Sequence, residues 1–227
     1  MSLRGVFVTG TDTGVGKTRV AVALIHALRA RGLRVAAMKP VAAGCVPGAL
    51  NEDVVALSRA AGVAAAPADV NPYSFDEAIA PHIAAAAAGT AISLARIVAA
   101  CERLAAAADA VVVEGAGGWR VPLNAGEDMA DLASSLGLPV VLVVGLRLGC
   151  LNHALLSADA IVARGVRWGG WVGNRIDPDM ARVDENIDAL RARLPGPCLG
   201  VQPYLPDGGG AAASPPWLTL PDAWPAI

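Results

Sequence analysis

Val6-Phe7-Val8-Thr9-Gly10-Thr11-Asp12-Thr13-Gly14-Val15-Gly16-Lys17-Thr18 starts as an apolar run, breaks into glycines, and ends on a lysine and a hydroxyl. Val6–Val8 reads as a buried strand, and the periodic stretch Thr18–Arg31, closed by Gly32, reads as the helix that follows. Between them, Gly14 and Gly16 let successive backbone N–H groups turn toward an anion. Lys17 would reach β and γ phosphates, Thr18 would offer its hydroxyl to Mg2+, and the helix N-terminus adds its dipole. Five residues, not the usual four, separate Gly10 from Gly16-Lys17-Thr18, yet strand and helix supply the context the motif needs. The segment predicts nucleotide binding.

The rest of the chain is sparing with lysine. Of eighteen Lys and Arg residues only Lys17 and Lys39 are Lys. An ammonium is a compact point charge suited to a phosphate cradle, which a planar guanidinium is not. Lys39 ends Val35-Ala36-Ala37-Met38-Lys39, another short apolar run. The two lysines therefore point to one phosphate-handling site.

Further strand-like runs are Val35–Met38, Val111–Val113, Val140–Val144, Trp168–Val172 and Leu199–Val201. Helical patterns lie between them: Asn51–Ala61 before Gly62, Ser93–Ala108, Asp128–Leu136 before Gly137, Asn152–Arg164 before Gly165, and Asp179–Leu194. The glycines predict left-handed caps, and Asn51, Ser93 and Asn152 read as N-caps. Near-continuous apolar strands alternating with helices predict an α/β, phosphate-loop NTPase-like fold. Its central sheet would be mostly parallel, with helices on both faces and ligands beyond the carboxyl ends of the strands. We expect one domain over 1–227. Residues 63–91 read as an irregular excursion with one Ala-rich helix. Residues 206–227 form a Gly/Pro-rich C-terminal segment whose Trp217 and Trp224 suggest partial docking.

Net charge of −2 and a pI near 5.9 provide no basic field for nucleic acid or an anionic membrane. Mean hydropathy of +0.50 raises the question of a span. The uncharged candidate, Ala78 to Ala95, is mostly alanine interrupted by Pro81, His82, Gly89 and Thr90, too weakly apolar for one. The start of the chain has no signal-peptide pattern. Cys45, Cys101, Cys150 and Cys198 form no CxxC pair, so reduced thiols and a cytoplasmic location are expected.

Four more segments carry chemistry. Val111-Val112-Val113-Glu114-Gly115-Ala116-Gly117-Gly118 sets a carboxylate at a strand tip, before glycines that admit close approach of a ligand. Asn51-Glu52-Asp53 is explained by an N-cap with acids in the first turn, or by a metal role for Asp53. Lys39-Pro40-Val41-Ala42-Ala43-Gly44 reads as a strand-end lysine followed by a loop of small residues. Leu148-Gly149-Cys150-Leu151-Asn152-His153 is either a plain strand-to-helix turn or a helix N-terminus that holds an anion. His153 and His26 read as helix-face residues.

These segments, with Gly170-Trp171-Val172-Gly173-Asn174, together resemble the dethiobiotin synthetase family, in order and up to about Leu205. The resemblance implies carboxylation and ring closure of 7,8-diaminononanoate with CO2 and ATP, with Mg2+ as the metal. It assigns Lys17 and Lys39 to the γ-phosphate and the developing anhydride, with Thr13 assisting. It implies Thr18, Asp53 and Glu114 at the magnesium. The nucleotide would lie against Gly14, Val15, Gly16, Lys17, Thr18, Arg19, Gly115, Ala116 and Gly117. Asn174 would read the adenine edge beside Pro203, Tyr204 and Leu205, although by itself Asn174 also fits a strand-end turn. Gly118 and Ala43 would touch the diamine, and Leu148, Gly149, Cys150, Leu151 and Asn152 would bind its carboxylate from a neighbouring subunit of a homodimer.

Two departures bear on these expectations. Better-known members carry a hydroxyl residue where this chain has Ala43, and some carry Glu where it has Gly14. Neither removes a phosphate or metal group, so activity with weaker substrate affinity is expected. The alternative is a switch ATPase of the partitioning or metal-delivery type. Those proteins carry an extra loop lysine where this chain has Asp12, which argues against them.

Overall fold

The computed structural model describes residues 3–46, 48–206, 216–222 and 224. Met1 and Ser2, and Gly208 to Gly210 with Pro215 of the C-terminal segment, lie outside the described residues. The strands β1 (Gly5–Gly10), β2 (Val35–Met38), β5 (Ala110–Glu114), β6 (Val140–Leu146), β7 (Trp168–Arg175) and β8 (Cys198–Gln202) make one parallel sheet, ordered β2-β5-β1-β6-β7-β8. With β1 between β5 and β6, the loop that leaves β1 opens into the crevice where chain direction across the sheet reverses.

The alternation along β1 shows why both faces are covered. Val6 and Val8 pack with α1 (Lys17–Ala30) through Val20, Leu24, Ile25 and Leu28, and with α2 (Glu52–Ala60) through Leu57. Phe7 lies on the opposite face, in the core shared with Ile97 of α5 (Leu94–Ala106), Met129 and Leu132 of α6 (Met129–Leu136), Ile161 of α7 (Cys150–Ala163) and Ile187 of α8 (Val183–Arg193). Each such fully buried aliphatic side chain contributes about 2 kcal/mol. Among the described residues, no helix is long and apolar enough to cross a membrane.

Residues 63–91 are more ordered than the pattern predicts. They form α3 (Pro67–Val70), β4 (Tyr73–Phe75) and α4 (Pro81–Ala87), and β4 pairs in parallel with β3 (Val41–Ala43). The expected small-residue loop after Lys39 is thus a strand. Three-residue strands leave too short a run for periodicity to register.

Three local expectations are corrected. Asn152 is not an N-cap: α7 begins at Cys150, and Gly149 caps it at φ 95°. Gly62 is not a left-handed cap, since α2 ends at Ala60 with an extended Ala61, and the Gly62 N–H donates instead to the Val35 carbonyl at 2.9 Å. Helix α8 starts at Val183, four residues later than the pattern suggests. Asn51 and Ser93 do cap α2 and α5, and Gly32, Gly137 and Gly165 have positive φ. The described part of the C-terminal segment docks, as its tryptophans suggest. Leu218 bridges Gly200, Trp224 is buried, and the Arg31 guanidinium donates to the carbonyls of Leu220, Pro221 and Trp224.

Candidate active site

The phosphate loop, residues 11–16, leaves the end of β1 and enters α1 through Gly16 at φ 88°. A β-carbon on Gly16 would lie 2.1 Å from Asn174 Nδ2, so only glycine lets the loop pass that amide. No side chain caps α1 and no acid sits in its first turn, which leaves the first N–H groups available to an anion. Gly14 has φ 74°, Val15 is buried, and Arg19 is half-buried on the first turn.

Beneath the loop lies a charged cluster. Lys39 Nζ donates to Asp53 Oδ2 at 2.8 Å and to Glu114 Oε1 at 2.5 Å. Thr18 Oγ1 lies 2.7 Å from Asp53 Oδ1 and 2.9 Å from Glu114 Oε1, and with one proton it donates to one of them at a time. Lys17 Nζ donates to the Asp12 carbonyl at 2.9 Å. Lys17, Lys39 and Glu114 are 6%, 5% and 1% exposed.

Burial on this scale shifts the charges. Burial and the Lys39 ammonium bring Lys17 down to about 8, against the pull of Glu114, Asp53 and Asp12. Burial would also lower Lys39, but the Glu114 and Asp53 carboxylates outweigh it and hold the ammonium charged. Complete burial pushes the Glu114 carboxyl up despite Lys39. For Asp53 burial is outweighed by Lys39, Thr18 and Lys17, and its carboxyl stays low. The result is a largely buried cluster in which the two ammonium groups face two carboxylates, set where concentrated negative charge can be met.

The structure therefore gathers Lys17, Thr18, Lys39, Asp53 and Glu114 from α1, the end of β2, α2 and the end of β5. Gly115, Ala116 and Gly117 follow Glu114. Gly117 has φ 62° and a β-carbon there would sit 3.6 Å from Thr13 Oγ1, so Thr13 faces this turn. Gly118 runs beside the Gly10 and Thr11 carbonyls. Asn174 lies behind the loop, donating from Nδ2 to the Val15 carbonyl at 2.8 Å. Pro203 and Tyr204 are exposed and Leu205 half-buried, directly after β8. Ala43 is half-buried at the end of β3. Leu148 is 94% exposed and Gly149 and Asn152 are exposed, whereas Cys150 is buried and Leu151 half-buried. This turn stands on the surface, outside the charged cluster.

Two tethers were not read from the sequence. Arg147, beside that exposed turn, pairs with Asp12 of the phosphate loop at 2.6 Å, and Asp12 Oδ1 accepts the Thr13 N–H at 2.7 Å. Asn71 Nδ2 donates to the Lys39 carbonyl at 2.6 Å and fixes the backbone that aims the lysine. The dipeptide Asn71-Pro72 was the available signal, since it marks a turn.

Two carboxylates and a hydroxyl are too few to cage an ion by themselves, and among the described residues no group of three or more His, Cys, Asp or Glu could hold a metal. They suit magnesium, which takes hard oxygen donors, keeps waters and shares phosphate oxygens. Glu114 Oε2 is buried without a partner among the described residues, an acceptor in reserve for such an ion.

The sheet order, the glycine-capped loop and the buried lysines define a phosphate-loop nucleoside triphosphatase fold. MinD cell division protein from Aquifex aeolicus shares it, with a TM-score of 0.56 at 17% identity over 90% of this chain and 84% of that one. MinD from Pyrococcus horikoshii, with Mg-ADP, gives 0.52 at 18% over 95% and 87%. At that identity the likeness is one of fold alone. The profile of an AAA domain family matches residues 4–212. The ATP-dependent dethiobiotin synthetase of Pseudomonas paraeruginosa is 55% identical over 212 residues, 92% of this chain and 93% of the relative. Those of Xylella fastidiosa and Xanthomonas oryzae are 54% and 53% identical, over 92% and 91% of this chain and 93% of each relative. The chain belongs to the ATP-dependent dethiobiotin synthetase family.

Proposed function

We propose that this protein carboxylates 7,8-diaminononanoate with CO2 and closes the ring to dethiobiotin, converting ATP to ADP and phosphate. The observation that carries the reading is the cluster of buried Lys17, Lys39 and Glu114 with half-buried Asp53 under the phosphate loop, in a chain 53–55% identical to dethiobiotin synthetases over nine-tenths of its length.

One substrate amine captures CO2 as a carbamate. A carbamate oxygen attacks the γ-phosphorus and ADP leaves. The second amine then attacks the carbonyl carbon of the carbamic–phosphoric anhydride, the C–O bond breaks, and phosphate departs as the ring closes. The substrate supplies both nucleophiles, so the protein must position groups and neutralise charge. Lys17 and Lys39 would face the transferred phosphoryl group and the anhydride, with the Thr13 hydroxyl at their edge. Gly14 to Arg19 and Gly115 to Gly117 would hold the nucleotide. Thr18, Asp53 and Glu114 would hold Mg2+, which when bound neutralises phosphate charge. Asn174, Pro203, Tyr204 and Leu205 would flank the base.

The diamine would lie by Lys39, Ala43 and Gly118, with no side-chain hydrogen bond from Ala43. Its carboxylate would take the N–H groups around Gly149 to Asn152 of a second copy, which makes the working unit a homodimer. The exposure of that turn, away from its own chain's cluster, supports this reading. We assign the whole of 1–227 to one catalytic domain and a cytoplasmic setting.

The test is phosphate release from MgATP with and without the diamine and bicarbonate, for the wild type and Lys39→Arg. Release that needs both co-substrates and collapses in the variant is expected. Steady hydrolysis indifferent to the diamine would sink the reading and favour a switch ATPase.

A further inference from the structure

Two buried amides stand side by side at the carboxyl ends of β7 and β8. Asn174 and Gln202 are directly opposite in the parallel register, and each is 2% exposed. Val172, two residues before Asn174, packs with Val20 and Leu24 of α1, so by strand alternation both amides lie on the face that carries the phosphate loop.

Asn174 cannot turn over freely. Its Nδ2 donates to the Val15 carbonyl at 2.8 Å and sits against Gly16. Oδ1 is thereby presented as an acceptor, and it has no partner among the described residues. Gln202 Oε1 is likewise buried with no partner among them. A buried amide oxygen left unpaired costs about 1–3 kcal/mol, so two together mark a place where a donor arrives. β8 runs straight on into Pro203-Tyr204-Leu205, where the proposed reading puts the base.

We propose that Gln202 is a specificity-determining residue for the nucleotide, paired with Asn174 to select a 6-amino purine. The exocyclic amino group of adenine carries two hydrogens, one for each amide oxygen. A 6-oxo purine would bring a third acceptor against them and leave all three unpaired. This deepens the reading that Asn174 faces the base and rests on it. Apart from this register, Gln202 offers the eye only a polar residue at a strand end.

The test is titration calorimetry of MgADP and MgIDP, which differ only at the purine 6-position and N1, on the full-length wild type and variants. The wild type is expected to prefer ADP clearly. Gln202→Met is expected to narrow the ADP-to-IDP preference about tenfold and to raise the ATP KM, with kcat at saturating ATP within about twofold. Gln202→Asn, which keeps an uncharged amide oxygen, should retain more of the preference than the methionine variant, and it keeps the idea testable if that variant does not fold. No preference in the wild type, or a preference untouched in Gln202→Met but lost in Asn174→Ala, would overturn the proposal. A preserved ADP preference without diamine-dependent phosphate release would remove the synthetase reading and leave the base pair standing, so the two failures are distinguishable.

Discussion

Helices α1 and α7 begin alike and end up in opposite surroundings. Each starts on a glycine in the left-handed region, Gly16 at φ 88° and Gly149 at φ 95°, with no side-chain cap and no acid in its first turn. Helices α2, α5 and α6 instead spend the side chains of Asn51, Ser93 and Asp128 on their own first N–H groups. Both uncapped ends can therefore take an anion. The α1 end is completed inside the chain by Lys17, Lys39, Asp53 and Glu114. The α7 end faces outward with Leu148 94% exposed, and the neighbouring cation, Arg147, is already paired with Asp12. On the proposed reading the same local device thus serves, at one end, a phosphate met by charges of its own chain and, at the other, a carboxylate whose site needs a second copy.

The largest effect is expected where the charges are complete. Lys39→Ala removes the partner of the buried Glu114 carboxylate and the half-buried Asp53 carboxylate and, on the proposed reading, a donor to the transferred phosphoryl group. Diamine-dependent phosphate release should fall by at least about 10²–10³-fold, read in steady-state kinetics. Next comes Gly16→Ala. Its β-carbon meets the Asn174 amide and its φ is positive, so ADP affinity measured by calorimetry should drop about a hundredfold. If ADP binding survives, the α1 end is more adaptable than its packing implies.

At the α7 end the effects should be smaller and differently distributed. A β-carbon on Gly149 meets nothing within 4 Å, so Gly149→Ala pays only for its backbone, about 1 kcal/mol. The diamine KM is expected to rise several-fold while ADP affinity stays unchanged. Leu148→Glu should lower specific activity on dilution, checked against mass by light scattering; activity independent of concentration would break the contrast between the two helix ends. The smallest kinetic effect belongs to Arg31→Ala. It frees three carbonyls of the docked C-terminal segment, and should lower stability by about 1–2 kcal/mol in thermal melts while leaving kcat and KM near wild type.

Much of the contrast is local and was readable as such. The strand Val6–Val8, the glycines and Lys17-Thr18 predict an anion-binding turn because glycine freedom and helix N-termini act within a few residues. Lys39 and Glu114 stood out because a rare lysine and a strand-end acid follow apolar runs. What escaped was short or distant: the three-residue strands β3 and β4, the glycine start of α7 in place of an Asn152 cap, and the Arg147–Asp12 and Asn71–Lys39 tethers across 135 and 32 positions.

From the sequence alone follow a doubly covered parallel sheet and a phosphate loop, because hydrophobic period, glycine and capping chemistry are properties of neighbouring residues. Only the tertiary structure brings Lys39 onto Asp53 and Glu114, turns Asn174 toward Val15 and sets Gln202 beside it. Those outcomes depend on strand order and register, which pair residues up to 159 positions apart and decide which polar atoms are buried with a partner and which are left waiting for one.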